Sequence, residues 1–206
     1  MCFQSRPTVR DHAGTFFWKS KDITMTSLDI HFLHGFGMVG QHSENITMDD
    51  VDFEAPKESG RTTAGYADFV QMSGCKGTIN ISNCTFAGPH DDPINIHGTF
   101  NTVTAISSDR RTITVQYNHN ETAGFPNFFE GDEIEFMTKG NMITVEDSVR
   151  TVTKVDGPDG MGGNMGDGSG SLTTIKLTLN EAVPSDVQVN QHVVENITYT
   201  PTVNIT

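Results

Sequence analysis

The sequence predicts an all-β protein, made of parallel β-helix coils with a small antiparallel β-barrel inserted between them. Three observations carry this. Helical periodicity is nearly absent, and short alternating strings rich in Ile, Val, Thr and Phe are separated by Gly, Asn, Asp and Ser, the punctuation of strands and turns. One string recurs as DITMTSLDI (22–30), NITMDDVDF (45–53) and TINISNCTF (78–86). Residues 100–194 alternate in the same way but carry no such repeat.

The coil elements follow in order. Each early copy of the repeat is followed by a second short string: GFGMVGQHS (35–43), ADFVQMSGC (67–75) and DDPINIHGT (91–99). Aligning these puts Met38, Val70 and Ile94 in one inward column and Gly40, Met72 and Ile96 in the next. Two or three short strands per repeat, at a period of about 20–35 residues, is the pattern of a parallel β-helix whose turns stack at the strand spacing of ~4.8 Å. The step from Asp22 to Asn45 is 23 residues and from Asn45 to Thr78 it is 33. The excess falls in EAPKESGRTTAG (54–65), a loop extruded from the coil, where Lys57 and Arg61 are solvated charges or contacts for sugar hydroxyls. Trp18, Phe16, Phe17 and Phe36 precede or line the first coil and are assigned to core or capping.

The inserted segment carries seven alternating strings: NTVTAI, RTITVQY, GDEIEFM, NMITVED, VRTVTKV, TTIKLTL and DVQVNQHVV. Meander-type antiparallel pairing is the natural arrangement, giving a small barrel or sandwich. The glycine-rich GPDGMGGNMGDGSG (157–170) is expected to be a hairpin tip; the spacing of Asp159 and Asp167 fits neither an EF-hand nor a nonapeptide calcium repeat. A fourth copy of the repeat, NITYTPTVNI (196–205), resumes the coil. The expected division is therefore coils over 1–99, barrel over 100–194 and the start of a resumed coil over 195–206.

Composition removes several classes of function. Thirteen Lys and Arg stand against 26 Asp and Glu, a net charge of −13, which argues against a nucleic-acid partner. No run approaches the roughly 18 apolar residues of a membrane span, and the N-terminal residues lack the apolar stretch of a signal peptide. Cys2, Cys75 and Cys84 form neither a disulfide framework nor a zinc pair and are expected to be free, mostly buried thiols. Six Asn-x-Ser/Thr triplets, at Asn45, Asn80, Asn83, Asn120, Asn196 and Asn204, are by-products of turn asparagines meeting strand threonines. There is no phosphate cradle, GxSxG elbow or Cys–His signature, and no cofactor is implied.

The chemistry concentrates in GPHDDPINIHGT (88–99). Asp91 and Asp92 lie at the bend before a strand in which Ile94 and Ile96 point inward and Asn95 and His97 outward. Asp68, 24 residues earlier, is in register with Asp92, while Asn95 stacks on Gln71 and His97 on Ser73. Crowded like charges tend to retain a proton, so three such carboxylates can present an acid and a base together. Glycoside hydrolysis needs that combination. A separation of about 6.5–9.5 Å between acid and base would leave room for water and give inversion. His90, Asn95, His97 and Gln71 are placed to contact sugar hydroxyls; two histidines seven apart lack a third ligand for a metal site.

The combination of an upstream Asp, then Cys, then HDDPINIHGT resembles the glycoside hydrolase family 110 α-1,3-galactosidases, and the similarity runs from GTFFWKSKDITM through VENITYTPTVNIT. The resemblance implies a right-handed β-helix with small barrels, and an inverting exo-enzyme, mainly bacterial, that removes terminal α-1,3-linked galactose from blood group B-type or linear glycans. It implies that Asp68 and Asp92 hold and deprotonate water, that Asp91 is the general acid, that no metal or cofactor takes part, and that the protein is secreted or periplasmic. Polygalacturonase β-helices share a similar Asp…Asp-Asp logic, but a uronate substrate sits poorly with a charge of −13. Family chains are several hundred residues longer, so the sequence reads as a piece cut around the trio, and a non-catalytic glycan-binding coil is the competing reading.

Overall fold

In the computed structural model, the described residues are 12–119, 122–158 and 173–206. Cys2, Asn120 and the glycine-rich stretch from Asp159 to Gly170 lie outside them. Strings that recur in the sequence come to lie side by side. The first eight strands are β1 (Ala13–Trp18), β2 (Lys21–Ile30), β3 (Phe36–Gln41), β4 (Glu44–Phe53), β5 (Val70–Ser73), β6 (Lys76–Ser82), β7 (Thr85–Phe86) and β8 (Ile94–His97). Six more, β9 (Asn101–Ile106), β10 (Thr112–Tyr117), β11 (Glu133–Thr138), β12 (Arg150–Asp156), β13 (Thr174–Leu179) and β14 (His192–Asn196), precede a last strand, β15 (Thr202–Ile205).

The chain alternates between two parallel sheets. One is ordered β1-β3-β5-β8; the other is β15-β6-β4-β2, with β7 beside β4. The aligned columns are present: Met38 pairs with Val70 and Val70 with Ile94, Gly40 with Met72 and Met72 with Ile96. In the other sheet Ile23 pairs with Ile46 and Ile46 with Ile79. The inward side chains form one core that includes Ile46, Met48, Phe53, Phe69, Val70, Met72, Ile79 and Ile81, with Phe53 stacked between Phe69 (5.1 Å) and Phe86 (5.4 Å). Each such side chain contributes about 1.5–3 kcal/mol by leaving water.

Corners repeat as well as strands. Asp22, Asn45 and Gly77 have φ of 56°, 56° and 71°, and Ser27, Asp50 and Asn83 have 52°, 57° and 53°. Gly, Asn and Asp tolerate this left-handed conformation best. At Gly77 a Cβ would lie 2.3 Å from Asn45 Oδ1. Asn45 Nδ2 donates to Asp22 Oδ1 (2.8 Å), and Asn45 Oδ1 accepts from the Thr78 N–H (3.2 Å). Asn83 Nδ2 donates to Asp49 Oδ1 (2.8 Å). Two of the Asn-x-Ser/Thr triplets thus begin at corner asparagines.

The fourth repeat pairs differently from the sequence alignment. Ile197–Tyr199 is a 3-10 turn, and Val203, not Ile197, lies opposite Ile79. Pro201 has no N–H to offer a ladder, and Asn196 ends β14 with its amide donating to Asp132 Oδ2 (2.6 Å) and the Asn127 carbonyl (3.0 Å).

The second unit, Gly98–Thr198, is a closed antiparallel barrel with the ring order β10-β13-β12-β11-β14-β9. The first unit ends at His97 and takes up again at Tyr199–Thr206. Val103, Ile113, Val115, Ile134, Phe136, Leu177 and Val194 fill the barrel. The barrel has six strands, not seven. The string 141–147 is a turn region with a single bridge, Met137 to Thr144; Met142 has φ 57° and Ile143 is 61% exposed. In the string 186–194, only the part from His192 is strand. Nor is the pairing a simple meander: β10 pairs with β13 and β11 with β14. Asp132 anchors the crossing segment, its Oδ2 accepting from the Phe129 N–H (2.8 Å) and from Asn196. Among the described residues no helix is long and apolar enough to cross a membrane.

Candidate active site

Backbone hydrogen bonds between β5 and β8 position the carboxylates. The Phe69 N–H donates to the Asp92 carbonyl (3.1 Å) and the Val70 N–H to the Pro93 carbonyl (3.2 Å). On the other side, the Gly37 N–H donates to the Asp68 carbonyl (2.8 Å). Asp68 and Asp92 therefore leave their rungs at the same place, one strand spacing apart. Pro93 biases Asp92 to an extended conformation and stands where the entering strand asks no N–H of it.

One carboxylate oxygen from each of Asp68, Asp91 and Asp92 lies within 4.8 Å of the other two. Asp68 is only 4% exposed, whereas Asp91 and Asp92 are exposed. This is tighter than the roughly 6.5–9.5 Å of an acid and base that flank a water. Gln71 pairs with Asn95 and Ser73 with His97. Asn95 Nδ2 donates to Asp68 Oδ2 (3.0 Å), so this side chain, read from the sequence as a sugar contact, meets a member of the trio. His90 precedes the acidic pair in sequence, and His90, Gln71 and His97 are half-buried.

Among the described residues, the trio is also the one group of His, Cys, Asp or Glu side chains close enough to converge on an ion. It offers three carboxylate oxygens, half of an octahedral oxygen set. Of the two loop cations, Arg61 lies with its guanidinium 4.6 Å from the Phe32 ring, and Lys57 lines a pocket with Asp29, His31, Asp52 and Glu54. Phe17 and Phe36 are buried as expected, but Phe16 is 51% exposed.

Residues 112–158, which span β10 to β12, match the family described as GLAA-B beta-barrel domain II. The chain is 48% identical over 205 residues to alpha-1,3-galactosidase A of Streptomyces avermitilis, with all of the chain covered. It is 46% identical over 207 residues to alpha-1,3-galactosidase A of Peterkaempfera griseoplana, and 40% over 205 residues to that of Bacteroides thetaiotaomicron, each over 99% of the chain. The chain is a homologue of the alpha-1,3-galactosidases. It spans 32%, 28% and 34% of the length of these three relatives. Within that homology, the match to the barrel family coincides with strands of the closed barrel, and the carboxylate trio falls in the parallel-sheet unit.

Proposed function

We propose that the chain carries the catalytic carboxylates of an inverting exo-α-1,3-galactosidase that releases terminal α-1,3-linked galactose from B-antigen-type or linear glycans. The supporting observation is the convergence of Asp68, Asp91 and Asp92 within 4.8 Å in a homologue of the alpha-1,3-galactosidases. In this reading the two parallel sheets are faces of a right-handed β-helix, since successive strands alternate between them. The barrel is an insertion between coils. Such glycans lie outside cells, which goes with a secreted or periplasmic protein.

A water is held against the Asp68–Asp92 edge. One of these carboxylates takes its proton as the water oxygen bonds to the anomeric carbon. Asp91 gives its proton to the glycosidic oxygen, and the bond between that oxygen and the anomeric carbon breaks. In this reading the water sits on the Asp68–Asp92 edge and not midway between a widely spaced acid and base. His90, His97 and Gln71 flank this edge and bond the galactose hydroxyls.

The test is incubation with a terminal α-1,3-galactosyl glycan, followed by NMR. β-Galactose should appear first and mutarotate later. First release of the α-anomer would refute inversion. Asp91→Asn should reduce release by about 10²–10⁴-fold with the circular dichroism unchanged; undiminished release would remove Asp91 as the acid. A second reading is favoured by the chain's spanning about a third of its relatives: a coil segment that binds galactosides without turning them over. It predicts galactoside binding that survives all three Asp→Asn changes.

A further inference from the structure

We propose that Asn95 is a positioning residue, which keeps Asp68 ionised and aimed as the water-activating base and so leaves the catalytic proton to Asp91. This rests on the hydrolase reading above and assigns the roles within it. Asn95 sits on β8, one rung from the start of β5, and its Nδ2 donates to Asp68 Oδ2 at 3.0 Å. An amide N–H can only donate. A proton on that same oxygen would compete with the contact, so the hydrogen bond favours the carboxylate over the acid. With Asp68 4% exposed, bulk water cannot replace this donor fully.

The surroundings set a contest. Asp91 and Asp92 bring like charge within 4.8 Å and push Asp68 towards its neutral form. On the rung beneath, Gly37 meets Asp68 through its backbone and adds no charge. On the strands that follow, Gln71 is neutral, His97 stands two residues beyond Asn95, and His90 precedes the acidic pair. Asn95 opposes the two aspartates at the one buried member of the trio. Other asparagines meet partners outside the trio: Asn45 on Asp22, Asn83 on Asp49 and Asn204 on Asn80 through exposed contacts, and Asn196 on Asp132 through a buried one in the barrel unit.

The experiment is a ¹³C-carboxyl NMR titration of the full chain, wild type and Asn95→Ala, run beside a pH–rate profile for galactose release. The expected result is that the Asp68 titration moves up by about one pH unit. The acidic limb of the rate profile should move with it, and kcat at neutral pH should fall about tenfold at constant KM. Asn95→Ser, too short to span the gap, gives the same readout should the alanine variant fail to fold. An unmoved Asp68 titration overturns the proposal, as does a change confined to KM, which would mark a sugar contact. If the wild type releases no galactose at any pH, the hydrolase reading fails by itself, and the carboxyl titration still decides what Asn95 does to Asp68.

Discussion

Replacing Asp68 by Asn should make the protein more stable and, on the proposed mechanism, remove turnover. Asp68 is buried with two other carboxylate oxygens within 4.8 Å. Two unit charges at that distance repel by about 3.5 kcal/mol at an effective dielectric of 20 and by about 0.9 kcal/mol in bulk water. Asp91, the proton carrier in the proposed mechanism, adds no charge, and Asp92 is exposed, which puts the remaining Asp68–Asp92 pair near the lower figure, about 1 kcal/mol. The substitution is nearly isosteric, and the new amide oxygen can still accept from Asn95. For a chain of this size the gain corresponds to a rise in Tm of about 2–4 °C. Calorimetry at low salt should show it. In 1 M NaCl, where the Debye length is about 3 Å, the gain should shrink. A lower Tm, or a gain that salt leaves intact, would refute the picture of a trio held together against its own repulsion.

Three further outcomes are expected. Phe53→Ala removes a fully buried ring stacked on both faces and should cost about 3–5 kcal/mol in urea unfolding; a loss under about 1 kcal/mol would remove the stack from the account of the core. Burial pushes the Glu195 carboxyl above its ordinary value of 4.5, and Glu135, opposite it on β11, adds to the effect. Its charged form is therefore disfavoured on folding, the penalty appears as pH rises above 4.5, and Glu195→Gln should raise Tm at pH 7 but not at pH 3. Burial pushes the Cys75 thiol up from 9.0 to about 11, so folding stability should fall as pH rises from 9 to about 11, and the fall should vanish in Cys75→Ala. At pH 8 Cys75 should resist alkylation, while half-buried Cys84 reacts faster by access.

The columns of the two parallel sheets were legible because two signals coincide there. Period-two alternation tells which face a residue takes, and the recurrence of Ile23, Ile46 and Ile79 tells which rung. The same arithmetic put Asp68 beside Asp92. What it could not yield was the partner of an outward side chain: alternation turns Asn95 outward but does not say that its amide meets a carboxylate instead of solvent. In the barrel, alternation misled at 141–147, because a turn with exposed Ile143 alternates as well as a strand does. The triplet at Asn196 copies the repeat in letters, yet its amide is committed to Asp132 and the strand waits until Pro201 is passed.

The step from Ile46 to Ile79 is ten residues longer than that from Ile23 to Ile46, and the columns do not notice. Rung spacing is dictated by backbone pairing, whereas the chain between rungs answers only to loop closure, whose cost grows as the logarithm of length. Loop and ladder can therefore change independently. The segment 54–65 can be lengthened, shortened or exchanged, and the distance between Asp68 and Asp92 will stay where the ladder puts it. The segment is in effect a cassette site, open to grafting without resetting the carboxylate geometry.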